Sequence, residues 1–280
     1  MDKIDLQFLL SKAQQGDVSS LYDLATFYQD NNQGDVAFSY AYRGSTRYYP
    51  PCERKLAYFY EKGIGTKVDY KMALHYYQLA IDHGDIPSIT NVGLLYYKGI
   101  GVEKDERKAF EMVQEAANKG HVMAISALAR FYRSGIGVEQ DDNKYFELLL
   151  KAHNLGERNI LHLIGLCYYN GIGVEKDLNK AFSHFLAGSE ENDIECFYYL
   201  GLMSVAGEGC AKDYSRALYF YQQGANKGDA RAMFNLALFY ENGVYVPKNL
   251  DLVIYWLKKA SESGLEEATK KLEILHSNEN

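Results

Sequence analysis

A seven-residue phrase, GIGVEKD at 99–105, returns through the chain at one spacing. Close copies stand at 63–69, 135–141 and 171–177, and looser ones at 207–213 and 243–249. Their first glycines (63, 99, 135, 171, 207 and 243) are 36 residues apart without a slip. A constant period of this size dictates stacked supersecondary units, none of which can bury its apolar face alone. It overrides the one or two globular domains that 280 residues would otherwise suggest.

Each unit reads as two helices. In helix A, Ala124, Leu128, Ala129 and Tyr132 fall on one face, and Ser88/Val92/Gly93/Tyr96 and Ala232/Leu236/Ala237/Tyr240 repeat the pattern. The second small position (Ala25, Ala57, Gly93, Ala129, Gly165, Gly201, Ala237) is never large, so helix A is expected to approach its neighbour closely there. The tyrosines at 28, 60, 96, 132, 168 and 240 are expected to fill the space between units, with Ser204 interrupting the series. Helix A is expected to stop at the first glycine of the phrase in left-handed geometry, and the second glycine permits a tight loop. Asp69, Asp105, Asp141, Asp177, Asp213 and Asn249 then stand where helix B needs an N-cap acceptor. Helix B carries a mostly small residue (Ala37, Ala73, Ala109, Ala181, Ala217), replaced by Tyr145 and Val253. A larger apolar residue follows four positions later (Tyr77, Val113, Leu149, Phe185, Tyr221, Leu257). Gly84, Gly120, Gly156, Gly228 and Gly264 close helix B, with Asn192 substituting once.

This register divides the chain into an N-terminal capping helix in 1–16 and seven repeats at 17–48, 49–84, 85–120, 121–156, 157–192, 193–228 and 229–264. A C-terminal capping helix and polar tail follow in 265–280. Ile4, Phe8, Leu9, Leu10 and Ala13 mark the apolar face of the first helix, and Ala268, Leu272 and Leu275 that of the last. The tail from Ser277 is expected to fray. The first repeat departs from the rest: its loop, 29–35, is four residues shorter and lacks the glycine pair. It closes at Tyr48, followed by Tyr49-Pro50-Pro51, where the prolines are expected to stiffen the link to Cys52. Divergence near the cap and a specialised edge of a binding surface both account for it.

The unit Ala-x3-Leu-Gly/Ala-x2-Tyr-x2-Gly-x-Gly-Val-x2-Asp-x3-Ala resembles the Sel1-like repeat, a relative of the tetratricopeptide repeat. Tetratricopeptide units have about 34 residues and lack the glycine loop. The resemblance covers about residues 17–276 and implies an all-α, right-handed superhelical α/α solenoid. It also implies a non-enzymatic adaptor or scaffold acting in signalling, secretion or host interaction, as in the many bacterial members. Some secreted members pair cysteines within each repeat. The four cysteines here (52, 167, 196, 210) form no CxxC and do not recur as a pair within each repeat.

No catalytic constellation stands out. GxSxG, GxxxxGK-S/T and HExxH are absent, and a glycine turn that recurs at the repeat period, as Gly-Ile-Gly in four units, is better explained as structure than as a phosphate cradle. The histidines at 75, 83, 121, 153, 162, 184 and 276 include no pair at metal-ligand spacing within a helix, so neither metal nor cofactor is expected. Charged runs such as 103–108 read as solvated loop and helix starts. A net charge of −7 and pI near 5.6 argue against a nucleic-acid partner. No apolar run of about 18 residues exists, so no membrane insertion is expected. The start at Met1-Asp2 shows no basic n-region or apolar h-region, so no signal peptide and a reducing, cytoplasmic location are expected. A monomer is the simpler expectation.

Function must then reside on a surface. By analogy with tetratricopeptide geometry, helix-A residues two, six and nine positions after the small opening residue line the concave side. The rule selects Tyr22, Arg54, Tyr58, Thr90, Leu94, Tyr97, Ser126, Arg130, Arg133, His162, Leu166, Tyr169, Tyr198, Leu202, Phe234, Leu238 and Glu241. Tyrosine and arginine dominate interface hot spots, and the chain holds 25 Tyr against one Trp. Arg130 and Arg133, one turn apart, suit bidentate grip of a carboxylate. The function expected is therefore binding of a peptide or protein partner. The alternative is a cytosolic immunity protein that neutralises a cognate toxin. A third class, an enzyme acting on a peptide or cell-wall fragment around His162, lacks a nucleophile and base.

Overall fold

The computed structural model describes the backbone of residues 3–277 and the side chains of 6–275 and 277. Ile4, His276 and the tail at 278–280 lie outside the described side chains. Among the described residues there are sixteen α-helices and no strand. They form two compact units, Met1–Gln140 and Asp141–Asn280.

The first unit contains α1 (Lys3–Gln14), α2 (Val18–Asp30), α3 (Gly34–Ser45), α4 (Pro50–Lys62), α5 (Tyr70–Asp82), α6 (Ile86–Lys98), α7 (Glu106–Asn118) and α8 (Val122–Ser134). The second contains α9 (Asp142–Asn154), α10 (Leu161–Asn170), α11 (Leu178–Glu190), α12 (Ile194–Ala206), α13 (Tyr214–Asn226), α14 (Ala230–Asn242), α15 (Leu250–Glu262) and α16 (Glu266–Ser277). Within each unit successive helices pack as antiparallel pairs stacked on their neighbours, an α/α solenoid pattern.

Local chemistry sets the helix ends. The glycines at 63, 99, 135, 171, 207 and 243 all end helix A with φ between 66° and 76°. Asp69, Asp105, Asp141, Asp177, Asp213 and Asn249 each accept backbone N–H bonds in the first turn of helix B. Each such cap contributes about 1 kcal/mol. The second glycine has a further role that loop geometry alone does not reveal. A Cβ on Gly137 would overlap the carbonyl oxygen of Glu106, the first residue of helix B in the preceding repeat. Backbone therefore packs on backbone between repeats.

Small residues do the same for the helix pairs. The Cβ of any larger residue at Gly165 would sit 2.6 Å from the Phe185 ring, so the close neighbour of helix A is helix B of its own repeat. A Cβ at Gly44 or Gly188 would overlap the sulfur of Cys52 or Cys196. These buried thiols are thus fillers facing a glycine, and burial pushes Cys52 up to about 12. Cys52, Cys196 and Cys210 are free thiols.

The framework tyrosines do fill the space between repeats. Tyr60 lies edge-on to Phe38 of the preceding helix B (5.3 Å) and stacked on Tyr76 of its own (5.7 Å). Tyr168 repeats this between Phe146 and His184. Where Ser204 breaks the series, Arg216 takes the space: Nε donates to Ser204 Oγ at 3.1 Å and the guanidinium covers the Phe182 ring.

Three local expectations are corrected. Phe8 is 60% exposed under the Lys12 ammonium, and α1 packs instead through Leu6, Leu9, Leu10 and Ala13. Pro50 and Pro51 are not a linker but the first residues of α4, where a missing N–H costs nothing. The helix A expected from about 157 begins only at Leu161: Glu157 stands where Asp85, Asp193 and Asp229 precede other helices, and Asn159 turns left-handed at φ 57°. Ile160 fills the slot that is small elsewhere.

Candidate interaction surface

The three selected positions of helix A have different fates. At Arg54, Thr90 and His162 the position two after the opening residue is a joint between repeats, because the side chain reaches the N-cap of the next helix A, 31 residues on. Arg54 Nε forms an ion pair with Asp85 Oδ2 at 3.0 Å. Thr90 Oγ1 meets His121 Nδ1 at 2.8 Å, and His162 Nδ1 meets Asp193 Oδ2 at 2.7 Å. Burial raises the Asp193 carboxyl, but hydrogen bonds from the His162 side chain and backbone outweigh it and hold the carboxyl below the usual value. Burial, with Arg54 nearby, holds His121 below the usual histidine value. Thr90 is 3% exposed and does not belong to a surface. Tyr198 lies under the Arg231 guanidinium at 4.5 Å, Arg231 being held by Asp229, and Phe234 packs against the buried cluster of α13–α16. Ser126 is half-buried.

The other two positions stay accessible. In the first unit Tyr58, Leu94 and Arg130 occupy one place on three helices, α4, α6 and α8, whose bounds repeat at the 36-residue period. Arg130 is exposed; Tyr97 and Arg133, one turn later, are half-buried. Tyr97 leans on Phe131 with centroids 5.4 Å apart. A cleft of about 160 Å³ opens between α4 and α6, lined by Tyr58, Glu61, Lys62, Tyr77, Asn91, Leu94, Leu95 and Lys98. At its base the buried Tyr77 hydroxyl donates to Glu61 at 3.0 Å, and Lys62 pairs with the same carboxylate. Tyr22 carries the Lys55 ammonium 4.9 Å above its ring, and Lys55 also donates to Gln29.

In the second unit Leu166, Tyr169, Leu202, Leu238 and Glu241 are half-buried on α10, α12 and α14. The Tyr169 hydroxyl donates to Glu208 at 2.8 Å; burial and that bond push it up to about 12. Glu241 pairs with Lys271 at 2.9 Å.

Sequence reasoning passed over Lys62, Asn91 and Lys98, which line the same cleft as Tyr58 and Leu94. The signal was available: counting charge helix by helix shows that α6 and α8 carry no carboxylate. Among the described residues no group of three His, Cys, Asp or Glu side chains is placed to hold a metal ion, and no helix is long and apolar enough to cross a membrane.

Six segments of the chain match the Sel1 repeat: residues 50–85, 86–121, 122–157, 161–193, 195–229 and 230–265. The chain belongs to the Sel1 repeat family. Sel1 repeats are protein-interaction modules, and their solenoids are generally non-enzymatic. The α2–α3 pair lies outside the matched segments. Among solved structures, a protective antigen of uropathogenic Escherichia coli with this repeat fold is 26% identical, with a TM-score of 0.77 over 97% of this chain. The chain spans 59% of that antigen's length. A Sel1 repeat protein from Oxalobacter formigenes is 26% identical, with a TM-score of 0.74, covering 86% of this chain and 96% of its own. An immunity protein from Pseudomonas aeruginosa is 17% identical at a TM-score of 0.48, covering 75% of this chain and 81% of its own, a distance at which the likeness carries no functional argument. No curated protein matches the chain in sequence.

Proposed function

We propose that this Sel1 repeat chain is a non-catalytic adaptor that holds a peptide or protein partner on the helix-A face of its first unit. One observation carries the reading. Tyr58, Leu94 and Arg130 repeat at one accessible position of three successive helices, beside Tyr97 and a cleft of side-chain size. Aromatic and arginine side chains on a rigid scaffold are the usual anchors of protein interfaces, since they bring large contact area at low cost in conformational entropy. His162, the one histidine attractive for catalysis, is instead held by Asp193 in a joint between repeats.

Affinity capture tests this with Tyr58→Ala/Tyr97→Ala, which removes the anchors without changing charge. A partner bound by wild type and lost at least ten-fold by the folded variant supports the reading. A partner kept equally by both places the site off this face.

A further inference from the structure

The charges of the first unit are sorted by helix. The unit as a whole is nearly neutral, with 16 basic and 17 acidic residues. Its helices α4, α6 and α8 nevertheless carry six cations: Arg54, Lys55, Lys62, Lys98, Arg130 and Arg133. They carry only two carboxylates, one fully buried and one mostly buried. Glu53 is fully buried against the His83 imidazole at 2.9 Å, and Glu61 is 14% exposed, tied to Tyr77 and Lys62. Lys98 and Arg130 are exposed, and among the described residues neither makes an ion pair. In a chain of net charge −7, this leaves a positive strip interleaved with Tyr58, Leu94 and Tyr97, whose one partly accessible carboxylate, Glu61 in the cleft, is already tied to Lys62 and Tyr77.

Resting on the interaction reading above, we propose that the strip binds an acidic, extended segment of a partner protein. One apolar side chain of that segment enters the cleft between Tyr58 and Leu94, and carboxylates on either side of it meet Lys98 and Arg130. Charge complementarity sets the sign of the ligand and speeds its encounter. The size of the cleft, about 160 Å³, sets its form: it fits an apolar side chain and not a stacked row of bases. The acidity of the whole chain disfavours a nucleic-acid backbone as the competing anion.

Fluorescence anisotropy of the full chain tests the proposal with four labelled probes. One is a peptide of about twelve residues alternating Glu with Leu and Phe. The second has Lys in place of every Glu, the third has Ser in place of every Leu and Phe, and the fourth is an oligothymidylate of similar length. The expected result is that the first probe binds at least about ten-fold more tightly than the rest. Its affinity should fall about ten-fold in Lys98→Glu/Arg130→Glu and fall again with added salt. It should be unchanged in Lys151→Glu/Lys258→Glu, which alters charge equally on α9 and α15.

Failure of the first probe to bind overturns the proposal, as does binding that ignores Lys98→Glu/Arg130→Glu, or tighter binding of the oligonucleotide. If the Lys probe binds as tightly and Tyr58→Ala weakens it, the face is a peptide site without acidic preference, so the adaptor reading stands and this inference falls. If a probe binds but neither Tyr58→Ala nor the charge reversal alters it, both fall. Self-association of the wild type that Lys98→Glu/Arg130→Glu abolishes identifies a second copy of the chain as the occupant, and likewise overturns it.

Discussion

Replacing Gly135 and Gly137 separately by Ala distinguishes two reasons for keeping glycine in the repeated loop. Both residues have φ near +66°. At Gly135 a Cβ finds its nearest neighbour at 3.5 Å, an ordinary contact, so only conformational strain remains. Left-handed geometry costs an alanine roughly 1–2 kcal/mol, and the stiffer unfolded chain returns about 0.4–1 kcal/mol, leaving about 1 kcal/mol of destabilisation. At Gly137 the strain is the same, but the Cβ overlaps the Glu106 carbonyl oxygen and lies 2.9 Å from Phe110 Cβ. The first turn of α7 must then move by about an ångström against a packed neighbour, which adds a further 1–3 kcal/mol. The total expected is about 3 kcal/mol. Urea unfolding of the full chain, followed by circular dichroism, gives both values. Equal losses for the two variants would refute the backbone-on-backbone contact between repeats. So would a Gly137→Ala loss of about 1 kcal/mol or less.

Other outcomes follow from the packing. Gly188→Ala should destabilise by about 2 kcal/mol through overlap with Cys196, and Cys196→Ala in the same chain should restore part of the loss, a coupling read from a double-mutant cycle. Burial, with His153 and Lys180 nearby, holds His184 below its usual value of 6.5. The folded state therefore favours neutral His184. That stability is complete above about pH 6.5 and is lost as pH falls through the lower folded value. The melting temperature should accordingly drop between pH 7 and 5, and drop less in His184→Phe, which keeps a ring against Tyr168. Asp193, depressed in the fold, behaves as a carboxylate whose contribution is lost only as pH falls below about 4. Asp193→Asn should flatten the acid limb of a melting-temperature profile there, with His162→Ala acting in the same direction.

Much of the fold was legible because it rests on local chemistry. A glycine after helix A, an aspartate before helix B and a small residue opposite each ring are choices a single unit makes, and repetition at 36 residues exposes them. The joints between repeats were not legible. Arg54–Asp85, Thr90–His121 and His162–Asp193 use different residue pairs at one site, so no single pattern recurs. This is why positions expected to face a partner turned out to hold the stack together. Phe8 misled because it lies off the Leu6, Leu9, Leu10 and Ala13 face through which α1 packs. The late start of α10 depends on what is missing, a capping side chain and a small residue at 160. The cationic strip was visible in the helix sequences, but its meaning required the burial of Glu53 and Glu61, which sequence does not give.

Site-specific photo-crosslinking tests the central claim most directly. A benzophenone amino acid at position 58 is compared with the same residue at position 219, an exposed tyrosine on helix B of the second unit. The account predicts adducts with a partner protein from position 58 and none above background from position 219. Adducts from position 219 alone would contradict it.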